Sequence, residues 1–396
     1  MADGRPPPVL DVDRLIDDRR NRILVCCGSG GVGKTTTTAA IGLRAAERGR
    51  HVVVLTVDPA RRLAQSMGLT SLDNTPRPVA GVPTGGSGGS LHAMMLDMKR
   101  TFDEIVEAHA DPDRAAQILA NPFYQSLSSS FAGTQEYMAM EKLGQLSRAD
   151  EWDLIVVDTP PSRSALDFLD APQRLARFLD GRLLRLLVAP AKAGGRAYLR
   201  VINAGFGVVT GVLTKILGTQ VLRDVQTFVS ALDTMFGGFR ERADYTYQLL
   251  RAPGTEFLVV AAPEPDALRE ASYFVERLAE ERMPLAGLIL NKVQRPPAAQ
   301  LSAARSLAAA EMLEVTTAPH GHAASPAPAG SYSLAVAALR LHADRMQQAA
   351  AQRRVAEHFT AAHPLVPVVE VPAQPDDIHD LDGLRRIGEA FGPAPS

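Results

Sequence analysis

The sequence predicts a doubly wound, mostly parallel α/β sheet. Three observations point there. Six short strand-like runs recur, most of them continuously aliphatic or β-branched, the pattern of strands buried on both faces. Helical stretches lie between them, as crossovers of a parallel sheet require. A glycine-rich turn follows the first run and opens a helix.

Taken in order, the strands are Arg22–Cys27 (RILVCC), His51–Thr56 (HVVVLT), Asp153–Val157 (DLIVV), Glu256–Ala261 (EFLVVA), Ala286–Leu290 (AGLIL) and Pro367–Val371 (PVVEV). Lys34–Arg48 and Asp266–Glu281 read as crossover helices. Thr75–Ser90 is rich in Gly, Pro and Ser and reads as a linker. Residues 94–150 and 162–251 are helical in pattern and interrupt the strand series. They are expected to form a helical subdomain inserted on an α/β core made of residues 1–93, 151–161 and 252–396. Residues 294–330, rich in Ala, Pro and Ser, are expected to be flexible. His320 and His322 lie there without an acidic or thiol partner, a solvated pair rather than a metal site.

Composition narrows the classes. The chain has 396 residues, 46% hydrophobic and 22% charged, which excludes collagen, coiled coil and wholesale disorder. A net charge of -2 implies no nucleic-acid partner. The two cysteines, Cys26 and Cys27, are adjacent, so neither a disulfide framework nor a thiolate zinc site is expected. That usage, with no export leader in Met1–Arg22 and no membrane-length apolar run, reads as cytoplasmic. Of the 42 basic residues only 6 are Lys, so each Lys stands out against an Arg background.

The chemistry begins at Gly28–Thr35 (GSGGVGKT), which fits G-x-x-x-x-G-K-[ST] between a strand and a helix. Gly28, Gly30, Gly31 and Gly33 let the backbone wrap a phosphate, and the amides along the loop, Val32 included, converge on it. Lys34 is placed to reach the β- and γ-phosphates, Thr35 to ligate Mg²⁺, and Thr36 to touch the α-phosphate. Asp58, in Thr56–Ala60 (TVDPA), ends the second strand and could orient an attacking water; it could equally cap the helix that follows. Asp158 follows four apolar residues, as a Mg²⁺-holding carboxylate does, or it simply ends a strand. Asn291 could read a base edge, and the loop Pro372–Asp376 could pack on an adenine. ATP and Mg²⁺ are the cofactors implied.

These motifs together resemble the ArsA/Get class of ATPases with a deviant Walker A loop, which includes arsenite-pump ATPases and ATPases that target tail-anchored membrane proteins. The resemblance covers most of the chain, including Leu91–Asp97 (LHAMMLD) before the helical region. It implies a Mg²⁺-dependent ATPase working as a dimer. Asp58 and Asp158 would sit in its two switch loops, and Asn291, Pro372 and Gln374 would lie beside adenine. The chain departs from the family pattern at Ser29, where relatives usually carry a Lys that crosses the dimer, and at Ser162-Arg163-Ser164 after the second carboxylate. The first departure points to a hetero-oligomer with a paralogous subunit that keeps the Lys. The alternatives are a homodimer in which Arg61, Arg62 or Arg163 supplies the charge, a regulatory ATP-binding subunit, and a ParA/MinD-like positioning ATPase.

Gly181–Arg223 carries Arg182, Arg185, Lys192, Arg196, Arg200, Lys215 and Arg223 with no acidic residue. Ile202, Phe206, Val209, Leu213 and Ile216 form an apolar stripe within it. That suits a hydrophobic client or peripheral membrane contact, or else a stripe that packs into the subdomain core. Met94, Met95, Met98, Met138 and Met140 allow the same two readings, adaptable surface or core filler.

Overall fold

The computed structural model describes residues 8–57, 62–82, 88–122, 124–125, 134–160, 241–242, 244–317 and 329–392. Asp58, Arg61, Ser162-Arg163-Ser164, Gly181–Arg223, His320 and His322 lie outside the described residues.

The six expected parallel strands form, their ends within a few residues of the expected ones, and a seventh, Ser90–Met95, joins them. They are β1 (Ile23–Cys27), β2 (His51–Thr56), β4 (Ser90–Met95), β5 (Leu154–Asp158), β6 (Thr255–Ala261), β7 (Leu285–Val293) and β8 (Val368–Pro372). A two-residue strand β3 (Arg77–Pro78) adds antiparallel to β4 at the edge. The sheet order is β3-β4-β2-β5-β1-β6-β7-β8. The chain therefore starts at the centre, winds out to one side, returns, and winds out to the other. The strand order reverses at β1, so the crevice beyond its carboxyl end is where such sheets bind ligands.

Alternate side chains of the central strands enter different cores, which is why their runs are almost wholly apolar. Ile23, Val25 and Cys27 point to one face with Val53, Leu55, Ile155 and Val157. Leu24 and Cys26 point to the other with Val52, Val54, Leu154 and Val156. The second face is covered by helix α1 (Val12–Asp17), by α2 (Lys34–Glu47) and by the C-terminal helix (Leu381–Glu389), through Ile16, Ile41, Leu43, Leu384 and Ile387. Arg50, almost wholly buried at the opposite end of the sheet from the crevice, donates to the carbonyls of Ile16 (2.8 Å) and Asn21 (2.5 Å) and to that of Asp153. It ties the segments leading into β1, β2 and β5 together.

The first face is covered by helices of the 94–150 stretch. Asp97 caps Met98–His109 by accepting from the Arg100 amide at 2.9 Å, and Asp111 caps Pro112–Ala120 in the same way. Helix Thr134–Ala149 sends Met138, Met140, Leu143 and Leu146 into the same core as the sheet. Met94, Met138 and Met140 are thus core residues, and the surface alternative fails for them. Helix Pro265–Glu280 completes this face through Phe274 and Leu278.

Two expectations need correction. Residues 294–330 are not flexible throughout: Ala303–Thr317 is a helix, packed against the 34-residue helix Ala329–Ala362. Its run of Ala and Leu without Gly or Pro has strong helix propensity, which outweighs the flanking prolines. Strand β7 does not stop at Leu290 but runs to Val293, so Asn291 and Lys292 are strand residues. Within Thr75–Ser90, β3 forms and Ser90 begins β4.

Candidate nucleotide site

The loop between β1 and α2 depends on its glycines in two ways. Gly31 (φ +79°) and Gly33 (φ +92°) adopt left-handed backbone that other residues avoid. Gly28 lies so close to β6 that a Cβ would come within 2.0 Å of the Val260 carbonyl oxygen. At Gly33 a Cβ would fall 2.3 Å from Asn291 Nδ2.

Three side chains donate to carbonyls of the loop. Lys34 Nζ donates to Ser29 O at 2.8 Å, Lys292 Nζ to Gly31 O at 2.7 Å, and Asn291 Nδ2 to Val32 O at 2.8 Å. In a planar trans peptide the N–H points opposite to the C=O. Holding the Gly31 and Val32 oxygens aims the amides of Val32 and Gly33 the other way, which offers donors to an anion at the start of a helix.

Beside the loop, Asp158 ends β5 and is completely buried. Its Oδ2 accepts from Thr35 Oγ1 at 2.7 Å and from Thr56 Oγ1 at 2.9 Å. Register puts Asp158 opposite Cys26 on one side and Thr56 on the other, at the carboxyl edge of three neighbouring strands. One carboxylate and one hydroxyl are hard oxygen donors of the kind Mg²⁺ uses when phosphates and water complete its shell. Among the described residues no cluster of three or more His, Cys, Asp or Glu could hold a metal by itself.

A cleft of about 550 Å³ opens on the far side of the loop. Gly31, Gly33, Thr36, Asn291 and Lys292 line one wall; Pro372, Gln374 and Asp376 line the other. Proline closes β8 and turns the chain, and Gln374 Nε2 donates back to Pro372 O at 3.2 Å. Residues from three distant parts of the sequence, including the expected Asn291, Pro372 and Gln374, therefore meet at one cleft. Asp58 lies outside the described residues, two positions past the last residue of β2.

Two contributors were missed in the sequence. In the sequence Thr56 reads only as a strand end, and nothing local distinguishes it. Lys292 had a signal, the scarcity of Lys, but its loop contact depends on a pairing between residues 261 apart.

Cys26 and Cys27 sit immediately before the loop, and both are free and buried. Burial pushes the Cys26 thiol up to about 12 and raises that of Cys27 as well, so neither is a nucleophile here.

A glycine loop between a central parallel strand and a helix, with a buried carboxylate on the helix's first hydroxyl, defines a P-loop nucleoside triphosphatase. Residues 21–314 match the family of anion-transporting ATPases, and the chain belongs to that family. It is similar to an ATPase GET3 of Malassezia globosa (29% identical, 45% of this chain and 50% of that protein). It is also similar to an ATPase ARSA2 of Chlamydomonas reinhardtii (25% identical, 75% of this chain and 74% of that protein). A putative arsenical pump-driving ATPase of Halobacterium salinarum is 28% identical over 46% of this chain and 28% of its own length. The chain thus spans only half of the first of these relatives, about three quarters of the second and less than a third of the last. Among the described residues no helix is long and apolar enough to cross a membrane.

Proposed function

We propose that this chain binds ATP with Mg²⁺ across the loop and hydrolyses it. The observation that carries the reading is the Thr35–Asp158–Thr56 hydrogen-bonded group beside a loop whose Gly31 and Val32 carbonyls are held by side chains. The loop amides from Gly28 to Gly33 receive the phosphates. Lys34 leaves Ser29 O to neutralise the β- and γ-phosphates, and Thr36 meets the α-phosphate. Thr35 and Asp158 hold Mg²⁺, which neutralises charge that develops on the phosphates. Asp58 orients the attacking water. Adenine lies in the cleft between Asn291 and the loop of Pro372 and Gln374.

The test is titration and turnover of the full chain. Lys34→Ala should abolish ATP binding while leaving the protein folded. Asp58→Asn should keep binding and lose about 10²-fold or more in turnover, as removal of a general base does. Unchanged ATP affinity in folded Lys34→Ala removes the loop from the function.

We further propose that hydrolysis switches a dimer in the cytoplasm, and that residues 94–150 and 162–251 form the client-handling subdomain. Gly181–Arg223, basic and apolar, would contact a hydrophobic client or a membrane surface. Ser29 supports a hetero-oligomer with a paralogous subunit that brings a cation to this site. ATPase assay of the chain alone, and mixed with any related subunit that copurifies, tests this. Full turnover of a homodimer that Ser29→Lys leaves unchanged rejects the heteromer.

A further inference from the structure

Among the described residues three that are not glycine have left-handed backbone: Asp150 (φ +53°), Arg282 (φ +56°) and Lys292 (φ +63°). The first two lie one and two residues past the C-terminal ends of helices, where this conformation recurs. Lys292 is different, because it lies inside strand β7. The β7–β8 register shifts between Leu290 and Val293, so the strand bulges at Asn291 and Lys292. Bulges re-aim side chains, and strained backbone persists where the surroundings over-determine it. Here two successive side chains are both delivered to the loop: Asn291 to Val32 O and Lys292 to Gly31 O.

We propose that Lys292 is a positioning residue for phosphate binding, a cation in cis that orients the Gly31–Val32 peptide. With the Gly31 carbonyl held by an ammonium, the Val32 amide faces the interior of the loop, where a phosphate oxygen would lie. The charge also polarises that peptide, which makes its N–H a stronger donor. Asn291 is buried and neutral and fixes the next peptide; Lys292 is exposed at the cleft wall and adds the charge. The inference rests on the proposed reading of the loop as the ATP phosphate site.

Two variants of the full chain test it. Lys292→Met keeps the length and the apolar stem but loses the donors; Lys292→Arg keeps a cation. Peptide-level hydrogen exchange without nucleotide should rise several-fold in Lys292→Met for the segment 28–33 and stay unchanged for β2 and β6. ATP affinity by calorimetry should fall about tenfold, the scale of one charge-assisted hydrogen bond. Lys292→Arg should restore both to near wild type. Wild-type exchange and affinity in Lys292→Met would overturn the proposal. So would faster exchange spread over the whole sheet, which marks general destabilisation. If the wild-type chain itself binds no ATP, the reading of the site fails, while the exchange result still decides whether Lys292 orders the loop.

Discussion

Two glycines of the loop offer a controlled comparison, because both have a positive φ and they differ in what surrounds them. Gly31→Ala places a Cβ where no atom lies within 4 Å, so its cost is the left-handed backbone alone, about 1–2 kcal/mol. Gly33→Ala has the same backbone cost, but its Cβ falls 2.3 Å from Asn291 Nδ2. The Asn291 amide must then swing off Val32 O, which loses a buried hydrogen bond at a further cost of about 1–3 kcal/mol. Gly33→Ala should therefore destabilise by about 2–5 kcal/mol in all. In an Asn291→Ala background the steric part disappears, and the cost of Gly33→Ala should drop to that of Gly31→Ala. Urea unfolding of the four variants, read as midpoint shifts at constant slope, measures each leg of the cycle. Equal costs for Gly31→Ala and Gly33→Ala, or an undiminished cost in the Asn291→Ala background, would refute the assignment of that contact.

Two further outcomes follow from titratable groups near the sheet. Cys26 and Cys27 should resist iodoacetamide at pH 8 in the native protein and react in urea, by intact-mass spectrometry; native labelling would contradict their burial and raised thiol values. His92 in β4, edge-on to Trp152, has its pKa lowered first by burial and then by His51. Its folded value is below the unfolded 6.5, so as pH falls through 6.5 the unfolded state takes up the proton first and stability declines. A pH 5–8 series of thermal midpoints should show this decline in wild type and a shallower one in His92→Phe; identical slopes would exclude His92 as a source.

The core strands and the phosphate loop were legible because their signals are local. RILVCC before GSGGVGKT needs no distant partner to be read: strand burial is written in a continuous apolar run, and left-handed turns are written in Gly. Asp158 and the loop after β8 were legible for the same reason, as an acid after four apolar residues and as prolines at a strand end. What escaped was pairing. The sequence does not say that β5 lies between β1 and β2, which is what brings Thr35 and Thr56 to the same carboxylate oxygen. Nor does it show that β7 continues past Leu290 with a bulge, because a bulge arises from the register with β8, some 80 residues further on. Residues 303–317 read as loose because of the prolines around them; their own run of Ala and Leu favours a helix, and a second long helix lies against it. Local chemistry determined which backbone conformations each segment could take; only the packed sheet decided which segments became neighbours. The hydrogen bonds of Asn291 and Lys292 to the loop form between residues about 260 positions apart, and that closeness exists only after the chain has folded.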